Sequence, residues 1–114
     1  DDGRIVYGAW EAPSQKTLVS PQSYNDGQWH HLVVVATGRG SSQDTSLYVD
    51  GRQVASGGTS RIDGYSGWWR VGDGTSPTGP TRPTSSGFDG LVDNVAVYPT
   101  ALSANRVAEH YRVR

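Results

Sequence analysis

The chain has 114 residues with 15 Gly, 6 Pro, no Cys and a formal net charge of −1, which allows one domain of ordinary size with one modest core. The missing cysteines exclude disulfides and thiolate metal sites. The near-neutral balance, with its basic residues scattered, excludes a charge-driven nucleic-acid or anionic-membrane partner, and no segment has the length and apolarity of a membrane span.

Gly3 to Trp10 alternates apolar Ile5 and Tyr7 against Val6 and predicts a strand, ended by Pro13-Ser14. Thr17 to Val19 predicts a short second strand closed by Ser20-Pro21, and Tyr24-Asn25-Asp26-Gly27 predicts a turn, since Asn, Asp and Gly tolerate left-handed backbone. Trp29 to Thr37 (WHHLVVVAT) is the strongest strand signal. Its continuous Leu32 to Val35 run predicts burial on both faces and a central place in a sheet. Trp29 is expected in the core. Gly38 to Ser46 reads as a loop. Thr45 to Val49 and Gln53 to Ser56 flank Asp50-Gly51, a strong short-hairpin signal.

Trp68 to Gly72 predicts a further strand. Thr75 to Gly87 carries three prolines and is expected to be a long surface loop. Phe88 to Tyr98 predicts a final long strand with Leu91, Asp93, Val95 and Val97 on one face. Ser103 is placed to cap a helix over Ala104 to Tyr111, with Leu102 and Val107 as a hydrophobic staple. Short strands divided by Gly/Pro/Ser turns favour a sandwich or barrel. There is no Met and the chain begins Asp1-Asp2, which suggests a processed product or an excised piece of a longer polypeptide.

Four segments in order, Asp26–Val33 (DGQWHHLV), Leu47–Gly51 (LYVDG), Trp69–Gly72 (WRVG) and Phe88–Tyr98 (FDGLVDNVAVY), followed by Ala101-Leu102-Ser103 and His110-Tyr111, resemble the laminin-G-like, concanavalin-A-like jelly-roll domains of secreted bacterial, especially actinobacterial, proteins. The resemblance implies an all-β, antiparallel two-sheet sandwich with one short C-terminal helix. It covers the C-terminal portion of such a domain, so residues 1–114 are expected to lack the N-terminal strands. Missing neighbours would leave edges unpaired and core faces uncovered. The expected remedies are a companion fragment, a homodimer or a longer parent chain.

The chemistry-bearing residues are sparse. Glycosidases on this kind of fold use closely spaced carboxylates. Here Glu11 and Glu109 are the only glutamates, and neither has a carboxylate two or four residues away. Asp89 and Asp93 share a strand face, at what the resemblance makes a structural position. His30 and His31 would point to opposite strand faces and cannot chelate one ion together; one of them is expected in the core. No G-x-S-x-G nucleophile turn occurs. No catalytic residue is therefore assigned.

Related jelly rolls often hold a structural Ca²⁺, and the resemblance makes Asp93 the candidate ligand, with its usual partners in the absent N-terminal region. Asp73 is a second candidate, beside the backbone oxygens of Gly72 and Gly74. Exposed aromatics can carry the apolar face of a sugar. Trp68, Tyr65 and Trp10 are the candidate ligand-binding residues, while the resemblance makes Trp69 structural.

The resulting expectation is a non-catalytic binding or accessory module of a secreted or cell-surface protein, taking a carbohydrate or an extracellular protein. The alternatives are a structural spacer or adhesion domain without a small ligand, and part of a glycoside hydrolase.

Overall fold

The computed structural model describes residues 2–11, 14–37, 43–59, 71 and 87–113. Among these residues five strands and one helix run in the order β1 (Arg4–Glu11), β2 (Ser14–Ser23), β3 (Leu32–Thr37), β4 (Gln43–Val49), β5 (Arg52–Thr59) and α1 (Ala104–Arg112). They form two antiparallel sheets, β1-β2 and β3-β4-β5. The all-β sandwich with one short C-terminal helix is as the sequence led us to expect.

Register decides what each face of the second sheet carries. Leu32 pairs with Val49, Val34 with Leu47 and Ala36 with Thr45. Leu47 and Thr45 then continue across to Ala55 and Gly57. Directly opposed residues share a face, so these side chains make one row. That row faces the first sheet. A Cβ added at Gly57 would lie 3.2 Å from Leu18 Cδ2, so glycine there lets β2 and β5 approach. Leu18, Leu47, Val49, Thr45 and Ser20 are buried in this layer. The Ser20 hydroxyl is satisfied: it accepts from Ile5 N–H (2.9 Å) and donates to the Gln22 carbonyl (2.7 Å). Burial also pushes the Tyr7 phenol pKa up.

The opposite face carries Val35 and Tyr48, which pack with Val107 of α1; Val33 and Leu102 complete the cluster. Ser103 caps α1, its hydroxyl accepting from Arg106 N–H at 3.3 Å. His110 and Arg112 occupy the last turn, where positive charge suits the helix dipole. Helix and hairpin meet at Gly51, whose φ of 75° and whose Cβ position, 3.2 Å from both Ala108 Cα and Tyr111 Cβ, leave room for no side chain.

Several expectations need correction. β2 runs through Pro21 to Ser23 rather than stopping at Val19, because Pro21 sits where no ladder bond is required. β4 begins at Gln43, so part of the expected loop is strand. Among the described residues β3 has one strand neighbour, β4, where a neighbour on each side was expected. Its inner residues Leu32 and Val34 are 48% and 42% exposed, and the described first sheet packs against β5. Trp29, expected in the core, is 58% exposed, since β3 starts only at Leu32 and Trp29 lies in the approach to it. Phe88–Tyr98 forms no strand among the described residues, and Val95 is exposed. Its alternation is right for a strand, but a strand also needs a hydrogen-bonding neighbour. The expected strand Trp68–Gly72, apart from an exposed Val71, lies outside the described residues, as does most of the loop Thr75–Gly87.

Candidate functional site

The chemistry of the chain converges on the β4–β5 turn. Asp50 (φ 51°) and Gly51 (φ 75°) both have left-handed backbone, the conformation of a two-residue hairpin turn. This turns the Asp50 carboxylate back toward the residues entering β3. Its Oδ1 accepts from His31 N–H at 3.0 Å, and its Oδ2 bonds His30 Nδ1 at 2.8 Å. The backbone closes the same junction, Asp50 N–H donating to the His31 carbonyl at 2.9 Å.

The other ring nitrogen of His30, Nε2, lies 3.0 Å from Asp26 Oδ1. That oxygen also accepts from Gln28 N–H at 2.9 Å, in a turn at whose centre Gly27 has φ 78°. Ionised carboxylates only accept hydrogen bonds, so this arrangement favours a proton on both ring nitrogens, the imidazolium form of His30. Asp50, then Asp26, raise its pKa above the ordinary histidine value, against a smaller opposing effect of desolvation. The Gln28 amide, then His30, hold the Asp26 carboxyl below the usual carboxylate range. The Tyr24 ring meets His30 edge-on at 5.1 Å.

Beside this clamp lies a cleft of about 350 Å³ lined by Gln22, Tyr24, Val49, Asp50, Arg52, Val54 and Tyr111. β2 supplies Gln22 and the chain just beyond it Tyr24. The hairpin supplies Val49 to Val54, and α1 supplies Tyr111. Tyr111 also lies 6.2 Å from the His31 ring. The cleft has aromatic faces, an apolar floor in Val49 and Val54, and Gln22, Asp50 and Arg52 as polar groups. That is the composition of a site for a small ligand with both an apolar face and hydroxyls. Its volume lies at the small end of the range for such sites, roughly 300–1,000 Å³.

The residues singled out in the sequence do not converge here. Trp68, Tyr65 and Asp73 lie outside the described residues, and Trp10 lies on β1 with its side chain outside them. Asp93 is exposed, its Oδ1 accepting from the adjacent Asn94 N–H at 2.7 Å. Among the described residues no group of three or more His, Cys, Asp or Glu side chains is placed to hold a metal ion. Ca²⁺ needs six to eight oxygens, many of them from the backbone. Glu109 is paired with Arg106 at 2.8 Å, one turn along α1. Sequence reasoning used Asp50-Gly51 only as a turn signal and missed its side chain. The clue was available: the turn expected at Asp26 and the two histidines following it lie directly before β3, whose antiparallel partner β4 ends at Val49, one residue before Asp50.

A laminin-G profile, described as Concanavalin A-like lectin/glucanases superfamily, matches residues 1–108. A crystal structure of an S-layer domain-containing protein (residues 221-444) from Clostridium thermocellum ATCC 27405 is similar at 21% identity and a TM-score of 0.58. The likeness covers 96% of this chain and 52% of that one, so the chain spans about half the length of that structure. No curated protein matches.

Proposed function

Because the chain belongs to the concanavalin A-like lectin/glucanases superfamily, we propose that it is a non-catalytic binding module of a secreted or cell-surface protein and that its ligand is a carbohydrate. The cleft between Tyr24 and Tyr111 carries the reading. A sugar ring lays its C–H face on an aromatic side chain and turns its hydroxyls to planar polar groups. Arg52 and Gln22 stand at the cleft as donors, and the Asp50 carboxylate is a fixed acceptor already oriented by His30 and His31. A sparse set of carboxylates favours binding over turnover: retaining glycosidases need two carboxyl groups roughly 5 Å apart, and inverting enzymes roughly 6.5–9.5 Å. Asp26 and Asp50 do stand on either side of one residue, but the imidazolium between them occupies the space a glycosidic bond would need.

The test is a glycan array, followed by titration calorimetry with the best oligosaccharide. Tyr24→Ala and Arg52→Ala are expected to weaken binding at least about tenfold, within the range seen for anchor residues. If Trp68→Ala abolishes binding while these two leave it intact, the sugar platform lies on the 60–70 segment instead. No glycan bound at millimolar concentration removes the reading.

The exposed Leu32 and Val34 of β3 favour a second reading, a spacer or adhesion domain without a small ligand. The S-layer domain-containing neighbour, itself a protein of surface character by its title, is compatible with either. Calcium at Asp93 would require ligands from outside the described residues.

A further inference from the structure

Two walls of the cleft share one support. The His30 ring bonds Asp50 Oδ2 through Nδ1 at 2.8 Å and Asp26 Oδ1 through Nε2 at 3.0 Å, and the Tyr24 ring stands against it with centroids 5.1 Å apart. Tyr24 and Asp50 line the cleft, whereas His30 is not among its described lining residues. The His30 side chain is 16% exposed, so it acts on the cleft through these neighbours. Other charged or titratable groups come from different elements. Arg52 of β5 and Tyr111 of α1 line the same cleft, and the His31 ring lies 6.2 Å from Tyr111 while its backbone N–H donates to Asp50 Oδ1 at 3.0 Å.

The two protonation states of His30 hold these walls differently. With a proton on both ring nitrogens, each carboxylate receives a donor. A neutral ring has one N–H to give. Asp50 is the nearer partner and the larger cause of the raised His30 pKa, so the proton stays on Nδ1 and Nε2 turns a lone pair toward Asp26. Lone pair and carboxylate repel each other. The Asp26 side chain is 56% exposed and can turn into water, which loosens the turn that follows Tyr24.

We propose that His30 is a positioning residue of the cleft: its imidazolium fixes Tyr24 and Asp50 in the geometry that binds a carbohydrate, and its deprotonation frees Tyr24 and weakens binding. The binding half of this rests on the carbohydrate reading of the cleft. The sign follows from the direction in which His30 is shifted. Binding is full below the ordinary histidine value of about 6.5 and declines as pH rises through the higher folded value. Asp26→Asn removes the conflict. The amide oxygen at position 26 still accepts from Gln28 N–H, and its NH₂ donates to the Nε2 lone pair, so a neutral His30 is satisfied on both sides.

The test uses the full chain on an immobilised glycan array from about pH 6 to about pH 9, with the strongest glycan carried into titration calorimetry and the His30 Cε1–H midpoint followed by NMR. Wild-type affinity is expected to fall at least about fivefold through that midpoint, the low end of coupling between linked sites, while Asp26→Asn holds level within about twofold. A wild type indifferent to pH overturns the proposal. So does a decline that persists in Asp26→Asn, which would assign it to His31 beside Tyr111. If the array shows no glycan at any pH, the carbohydrate reading fails and the nuclear Overhauser contacts between the Tyr24 and His30 rings decide the positioning role alone. They should fade through the His30 midpoint in the wild type and persist in Asp26→Asn. Wild-type ring contacts that remain unchanged above the midpoint overturn the role, whether or not the variant folds.

Discussion

Asp50→Asn separates the clamp from the turn that carries it. Asparagine tolerates left-handed backbone as aspartate does, so the φ of 51° and the hairpin survive. What changes is one oxygen. The remaining carbonyl can accept from His31 N–H, which leaves the new NH₂ facing His30 Nδ1. A donor cannot face a donor, so Nδ1 must give up its proton and His30 becomes neutral, keeping Nε2–H on Asp26. The largest cause of the raised His30 pKa is thereby removed, and its titration midpoint falls. A charge-assisted hydrogen bond is worth about 1.5–3 kcal/mol when sheltered. With the Asp50 side chain 28% exposed, solvent reduces the contribution of this pair to ~1 kcal/mol. The sign follows from linkage. A histidine whose folded pKa is raised contributes stability that is full below its unfolded value of about 6.5 and is lost as pH rises through the folded value. The wild type should therefore exceed Asp50→Asn most at about pH 5–6, above the carboxylate titrations, and the gap should close in alkaline solution. Urea melts at several pH values measure the gap, and NMR of the His30 Cε1–H resonance follows the titration. An unchanged His30 midpoint in Asp50→Asn, or a stability gap that widens as pH rises, refutes the imidazolium clamp.

Val107→Ala should cost ~2 kcal/mol and lower the melting temperature by roughly 8 °C, because Val107 is fully buried against Val35 and Tyr48 and two methyl groups leave a void behind; circular dichroism melts check it. Gly51→Ala should cost at least about 1–2 kcal/mol from left-handed backbone alone, with added strain where the new methyl meets Ala108 and Tyr111 at 3.2 Å; an unaltered urea midpoint would mean that α1 is not docked on the hairpin. Calcium and EGTA should give the same melting temperature, since among the described residues no group of three or more His, Cys, Asp or Glu side chains is placed to hold a metal ion; a rise in millimolar calcium would show that ligands outside them complete a site.

Local signals proved readable wherever the partner was close in sequence. The Asp50-Gly51 hairpin, the Ser103 cap and the helix over Ala104 to Tyr111 depend on a few consecutive residues, and all three are present. Expectations that depended on distant neighbours fared worse. The four-residue apolar run in β3 was read as burial on both faces; Val33 and Val35 pack toward α1, whereas Leu32 and Val34, on the other face, are exposed. Apolar pattern says which residues need cover, but not whether a layer reaches them. The same limit applies to Phe88–Tyr98, where period and composition are those of a strand and no partner lies beside it among the described residues. The clamp was hidden for a different reason. Its three members, Asp26, His30 and Asp50, are joined by strand register, and register is a property of the folded sheet rather than of any window of sequence.

The placement of the site follows from how β3 is held. Its entrance is tied to the β4–β5 turn by polar bonds: His30 and His31 to Asp50, and Asp50 back to the His31 carbonyl. Further along, from Leu32 to Thr37, it pairs with β4, its one strand neighbour among the described residues. A strand fixed at its start keeps its register, because a slip of one residue would pull His31 N–H off Asp50 and turn Val33 and Val35 away from α1. The clamp therefore does two things at once. It shapes the wall of the cleft through Tyr24 and Asp50, and it holds Leu32 and Val34 on the face that carries Val49 and Leu47.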